Sequence, residues 1–216
     1  MNRRGGDAAR VLPRFQAMIV VTVSGTSSEV GKTGLMCALL ARLSGWAAVK
    51  VTRGHYRSCG RDPETCCVSH LLGDRPRVFA DRDVTGAEGK DTGRYWAAGA
   101  ADVRWVVAAR GQEHRGLSEA LADLAGFGGV LVEGNRILER LPRPRLALLV
   151  AHPAQREVKA SARRILDRID AVFVPDTALS SSLEDPSALV GAPPGTRRWP
   201  VYGPPDLDRL AGTLRL

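Results

Sequence analysis

The chain has 216 residues, 44% of them hydrophobic, and a formal charge of +8. That length suits one medium domain with a substantial core, and no apolar run nears the roughly 20 residues a bilayer-spanning helix needs. Only four of the 31 basic residues are lysine, the arginines are spread along the chain, and basic and aromatic residues do not interleave; the pattern argues against nucleic-acid binding and leaves a basic surface for an anionic partner or nucleotide.

Residues 1–17 (MNRRGGDAARVLPRFQA) are basic and lack the continuous apolar centre of a secretory signal. They are expected to be a disordered arm ahead of a single domain over 18–216. Four cysteines at irregular spacing, without an export signal, fit reduced thiols in a cytoplasm. Apolar β-rich runs at 18–23, 46–52, 103–108, 129–133, 146–151 and 171–174 predict strands. They are near-continuous rather than alternating, as expected of strands covered on both faces. Helical patterns at 32–43, 117–125 and 157–168 lie among them. Strand and helix in turn predict a three-layer α/β domain with a mostly parallel sheet flanked by helices. Residues 175–205 are rich in Ser, Pro and Gly and read as exposed loop with one short helix at most. A last helix is expected over 205–214, and neither an internal repeat nor a second domain is visible.

The stretch VTVSGTSSEVGKTGLMCALL (21–40) runs from a strand through a glycine loop into a helix. That context turns Gly-Lys-Thr into a candidate polyphosphate cradle. Gly25 opens the loop, and the N–H groups of Ser27, Ser28, Glu29, Val30, Gly31, Lys32, Thr33 and Gly34 are placed to converge on phosphates. The start of the helix adds its partial positive charge. Lys32 would bridge the β- and γ-phosphate oxygens, and the Thr33 hydroxyl would sit on Mg²⁺. Gly25 precedes Gly31 by six positions, one more than in the usual loop. The competing explanation is a glycine turn with a chance lysine.

A Mg²⁺–nucleotide site also calls for a carboxylate at a neighbouring strand end, and GGVLVEGN supplies Glu133. In isolation a Glu there would be an ordinary surface residue. Lys50 lies within the apolar run AAVKVT, where a charge is costly unless it meets an anion. It is assigned to the phosphates or to an acidic substrate, with a snorkelling edge lysine as the rival. Lys32, Lys50 and Glu133 are the candidate catalytic residues, and Thr33 with Glu133 the candidate Mg²⁺ ligands. In EGKDTGRYWAAGA (88–100), Lys90 and Asp91 open a helix. Asp91 serves as cap or first-turn acid, or reaches a water on the metal. Tyr95 and Trp96 are expected to pack.

Between these segments, GHYRSCGRDPETCCVSH (54–70) holds His55, Cys59, Cys66, Cys67 and His70. Cys59, Cys66 and Cys67 are a candidate zinc or iron–sulfur site, but the spacing matches no standard finger and ordinary reduced thiols are favoured. Cys37, on the first helix, is expected in the core. No serine–histidine–acid set is legible, so any chemistry is expected to be phosphoryl transfer by positioning and electrostatics.

SGTSSEVGKT, the strand-end lysine of AVKVTRGHY, GKDTGRYWAAGA and GVLVEGN follow the order of those segments in molybdopterin-guanine dinucleotide biosynthesis protein B, MobB. Over residues 18–135 the chain resembles that family of P-loop GTPases. The resemblance implies a P-loop NTPase that binds GTP with Mg²⁺ and has low intrinsic hydrolysis. It also implies a role beside a molybdenum cofactor guanylyltransferase and a homodimeric state. The longer loop and GT..EVGKT are more similar to dethiobiotin synthetase, which implies instead an ATP-dependent ligase for a small carboxylate or amine substrate. A third alternative is a nucleotide-switched metal-delivery protein using the cysteines. No guanine-reading Asn-Lys-x-Asp occurs; Asp176 in FVPD is the nearest candidate for a base edge.

Overall fold

The computed structural model describes residues 18–54, 67–155, 157–193, 196 and 198–215. Eight strands form one sheet: β1 (Ile19–Gly25), β2 (Ala47–Arg53), β3 (Arg77–Phe79), β4 (Val103–Ala108), β5 (Gly129–Glu133), β6 (Leu146–Val150), β7 (Ala171–Phe173) and β8 (Val201–Tyr202). Their order is β3-β4-β2-β5-β1-β6-β7-β8. Every neighbouring pair is parallel except β3 with β4, which is antiparallel.

Successive side chains of a strand point to opposite faces, so a strand covered on both sides must be apolar throughout. In β1, Val21 and Val23 join a cluster with Leu35, Met36, Leu39 and Leu40 of α1 (Lys32–Leu40), while Val20 packs on the other face. β5 divides in the same way: Leu131 faces the α1 side, and Val130 and Val132 face Leu117, Ala120 and Leu124. The α1 layer also holds Tyr95 of α3 (Asp91–Ala97) and Leu207 and Leu210 of α8 (Leu207–Gly212). The opposite layer comprises α4 (Glu113–Asp123), and further along the sheet α5 (Ala160–Arg163) and α7 (Ser187–Val190), through Ala162 and Val190. The architecture is the predicted three-layer α/β sandwich.

The differences from expectation are local. β3, the two-residue β8, α2 (Arg82–Thr85) and α6 (Thr177–Ser182) were not legible as apolar runs. Among its described residues, the region 175–205 holds two short helices and β8 rather than open loop, and it buries Trp199. Helix α4 begins at Glu113, four residues before the expected start; it has no side-chain cap, and Gly116 in its first turn weakens the helical signal there. The continuous helix expected over 157–168 is broken into α5 and a 3₁₀ turn at Leu166–Arg168. Tertiary bonds hold both ends of this segment. Lys159 N–H donates to the Thr26 carbonyl (2.8 Å), and Arg168 donates to the carbonyls of Glu139 (2.9 Å) and Leu141 (2.6 Å).

Candidate functional site

β1 ends at Gly25, and α1 starts seven residues later at Lys32. The intervening loop is held from several sides. Thr26 N–H donates to the Val150 carbonyl of β6 (2.9 Å), and the Val30 side chain is fully buried among core residues. Two residues adopt left-handed backbone: Glu29 at φ 60° and Gly31 at φ 99°. Gly31 takes that conformation without the penalty a Cβ would bring, and Glu29 carries the strain. A Cβ on Gly25 would fall 2.7–2.9 Å from Val30 and Lys32 side-chain atoms, so only glycine lets the lysine stem cross this strand end. The first α1 hydrogen bond runs from Leu35 N–H to Gly31 O (3.0 Å). The N–H groups of Lys32, Thr33 and Gly34 consequently lack intrahelical acceptors, as at any helix start.

Lys32 folds back so that Nζ donates to Ser27 O (2.9 Å). Burial pushes this ammonium below its ordinary 10.5, and Lys50 and Lys159 push the same way, while Glu133 pulls upward. Ser27 Oγ donates to Ser28 O (3.0 Å), and Ser28 Oγ accepts from Lys159 Nζ (2.7 Å).

Register on the sheet explains the charged centre. In the parallel β2–β5 pair, Lys50 lies directly beside Glu133. Lys50 Nζ is 2.5 Å from Glu133 Oε1 and 2.5 Å from Asp91 Oδ2. The Thr33 hydroxyl lies 3.0 Å from Glu133 Oε2 and 3.1 Å from Asp91 Oδ1, and it can donate to only one at a time. Tyr95, wholly buried, donates its hydroxyl to Glu133 Oε2. Glu133 is thus a 1% exposed carboxylate surrounded by donors. Burial works against the charge on Lys50, but Glu133 and Asp91 outweigh it and hold the ammonium above 10.5. Burial likewise opposes ionised Asp91, yet Lys50 and Thr33 keep it below the usual carboxylate value. Burial first, then the charge of Glu133, drives the Tyr95 phenol well above 10.0.

Beside these groups is a cavity of about 570 Å³, bordered by the loop from Ser28 to Gly34 and by Lys50, Asp91 and Glu133. The structure therefore brings together Gly25, the run Ser27–Gly34, Lys50, Asp91 and Glu133. One hydroxyl and two carboxylates form an all-oxygen donor set, which suits a hard divalent cation completed by water and phosphate. Asp91 is a first-turn residue and not the cap: Lys90 takes that position, and the Asp91 carboxylate turns to Thr33 and Lys50. Trp96 packs as expected, with its indole N–H on Thr85 (3.0 Å) and Arg82 over its ring. Cys37 is only partly buried at the edge of the core.

Cys59, Cys66 and His55 lie outside the described residues; Cys67 is exposed, and among the described residues no group of three His, Cys, Asp or Glu side chains is placed to hold a metal. Asp176 caps α6, accepting from Leu179 N–H (2.9 Å), so one carboxylate oxygen is already engaged. The preceding Pro175 stands against Gly31.

Three contributors to the site were not assigned from sequence. Asn135 ties the end of β5 to the end of β1; its place directly after Glu133-Gly134 was the available signal. Lys159 holds the loop through both its backbone and its ammonium, and the scarcity of lysine pointed to it. Tyr95 packs and also bonds Glu133, a role that no local sequence signal marks. Of the four lysines, Lys32, Lys50 and Lys159 meet here, and Lys90 stands at the start of α3.

No protein-family model matches the sequence. No curated protein matches it either. Among solved structures, the chain is similar to hydrogenase maturation factor HypB from Archaeoglobus fulgidus, at 14% identity over 94% of this chain and 93% of that one, with a TM-score of 0.48. Among the described residues, no helix is long and apolar enough to cross a membrane.

Proposed function

We propose that the protein is a Mg²⁺-dependent P-loop NTPase, a single domain that binds a nucleoside triphosphate at the loop between β1 and α1. One observation carries this reading: at the first turn of α1, Thr33 Oγ1 meets Glu133 (3.0 Å) and Asp91 (3.1 Å), beside a loop folded around the Lys32 ammonium. In this reading the N–H groups of Lys32, Thr33 and Gly34 receive the phosphate oxygens. Lys32, costly as a buried charge, exchanges the Ser27 carbonyl for an anion. Thr33, Glu133 and Asp91 would hold Mg²⁺, directly or through water, and the bound ion would neutralise charge on the phosphoryl group. Lys50 bonds both carboxylates and holds them in place. Glu133, ringed by Thr33, Lys50 and Tyr95, orients the nucleophile side of the site.

The segments shared with MobB support GTP as the nucleotide and a place in molybdenum cofactor biosynthesis beside a guanylyltransferase, as a cytoplasmic homodimer. A second reading, an ATP-dependent ligase similar to dethiobiotin synthetase, is favoured by the six-position glycine spacing and by a cation-lined groove on the far side of Lys50. Binding of GTP and of ATP with Mg²⁺ is to be compared by calorimetry, followed by turnover with and without small carboxylates and amines. Tight GTP binding with slow, substrate-independent hydrolysis supports the first reading; ATP turnover that starts only with an added acid or amine supports the second. Failure of both nucleotides to bind removes the NTPase assignment.

A further inference from the structure

The mouth of the loop opens on its other side into a groove whose main part measures about 500 Å³. It is bordered by Ser27, Ser28 and Lys32 at one end, and by Arg53, Arg136 and Arg164 at the other. A smaller hollow of about 370 Å³ continues it, sharing Glu113, Arg136 and Arg164 and adding Arg110 and Arg140. Across the two parts, cationic side chains outnumber carboxylates eight to three. Those carboxylates are largely committed: Glu133 to Lys50, and Glu139 to Arg164 (3.0 Å).

Among the described residues, the side chains of Arg53 and Arg136 have no hydrogen bond or ion pair. Burial, then the neighbouring charge of Arg53, lowers the Arg136 guanidinium below its ordinary value; Arg164 acts in the same direction, while Glu139 and Glu113 oppose it. The cluster repels itself as it stands, and an anion placed among its members relieves that repulsion. Guanidinium forks match the geometry of phosphate. Glu113 adds a separate observation. It is 7% exposed, its Oε2 accepts from Gly111 N–H (2.7 Å), and its Oε1 is buried with no hydrogen-bond partner among the described residues. A buried carboxylate oxygen left without a donor is costly, and Glu113 borders both parts of the groove.

We propose that this groove is the site of a second substrate, a small phosphate ester whose phosphate sits among Arg53, Arg136 and Arg164 and whose hydroxyl or amine donates to Glu113. The proposal rests on the nucleotide reading above for its meaning, since the groove begins where the terminal phosphate would lie. Lys32 and Lys50 border both this groove and the cavity beside Thr33, so the two ligands share one boundary. Lys159, bonded to Ser28, stands at the junction.

The test uses the full chain saturated with Mg²⁺ and a non-hydrolysable triphosphate analogue, titrated calorimetrically with glycerol 2-phosphate. One saturable site is expected, weakened at least tenfold in Arg136→Gln/Arg164→Gln while the analogue still binds. Unchanged ester binding in that variant, or no ester binding to a protein that holds the analogue, overturns the proposal. A Lys32→Ala protein separates the two ideas: it is expected to lose the nucleotide and keep the ester. Glu113→Gln is expected to lower affinity for glycerol 2-phosphate but not for methyl phosphate, which has no hydroxyl. Equal loss for both overturns the role of Glu113. Tighter binding of citrate, or of an oligoribonucleotide, than of the ester overturns the assigned ligand class.

Discussion

Asn135 grips Gly25 with both ends of its carboxamide: Gly25 N–H donates to Oδ1 (2.8 Å), and Nδ2 donates to Gly25 O (2.7 Å). This pair locks the last residue of β1, where the loop begins, to the chain just beyond β5, where Glu133 sits. Asn135→Ala removes both bonds and leaves the Gly25 groups unpaired in a part-buried place. The expected cost is about 1–3 kcal/mol by urea denaturation. Nucleotide affinity should fall as well, because the loop loses its anchor; a variant as stable as wild type would show that the pair is incidental.

Lys32→Ala is expected to abolish the thermal stabilisation conferred by Mg²⁺–nucleotide. The same variant, without ligand, should be as stable as wild type or more so. Burial holds the folded ammonium below 10.5, which means that folding disfavours its charged form at neutral pH, and the substitution removes that cost. A ligand-induced shift as large as that of wild type would place the phosphates elsewhere. Scanning fluorimetry with and without ligand measures both effects.

Glu133→Gln should retain nucleotide binding, since the loop and α1 are untouched, and lose Mg²⁺-dependent turnover. Unchanged turnover removes Glu133 from the chemistry. Steady-state phosphate release across a Mg²⁺ series decides between these outcomes.

Lys50→Ala leaves Glu133, whose side chain is only 2% exposed, without its cation. Removing one partner of a buried pair costs about 3–5 kcal/mol. Asp91→Ala should cost far less, about 1 kcal/mol or below, because the Asp91 side chain is 40% exposed and water screens its pairing. Chemical denaturation of the two variants side by side tests the ranking, and equal losses would contradict the burial argument.

The pH dependence of the same centre has a definite sign at each end. Asp91 titrates below 3.8 when folded, so its contribution is present above that value and is lost as pH falls through the folded pKa. Lys50 titrates above 10.5 when folded, so its contribution is complete below that value and is lost as pH rises through the folded pKa. Unfolding free energies measured from acid to alkaline pH should therefore lose an acid component in Asp91→Asn and an alkaline component in Lys50→Met. A wild-type alkaline limb surviving intact in Lys50→Met would remove Lys50 as its source.

The sequence by itself determined the layers and the principal strands. Runs such as MIVVTV and GVLVE leave no polar face for water, so such a strand must be covered on both sides, which requires helices above and below a parallel sheet. It likewise singled out Gly25, Lys32 and Thr33 by their strand–loop–helix context, Lys50 because a charge inside an apolar run is costly, and Glu133 and Asp91 by their places at a strand end and a helix start. The short elements β3, β8, α2 and α6 escaped because so few residues show no periodicity. The local pattern over 157–168 favours one helix, and bonds from Lys159 and Arg168 to distant carbonyls override it. Only the tertiary structure decided how the chosen residues pair. The β2–β5 register set Lys50 against Glu133, and α1 and α3 brought Thr33 and Asp91 to the same two carboxylate–ammonium contacts. Asn135, Lys159 and the cluster of Arg53, Arg136 and Arg164 became meaningful in the same way. Their partners are far away in the chain, and a contact between distant segments is fixed by how strands and helices stack rather than by any local pattern of residues.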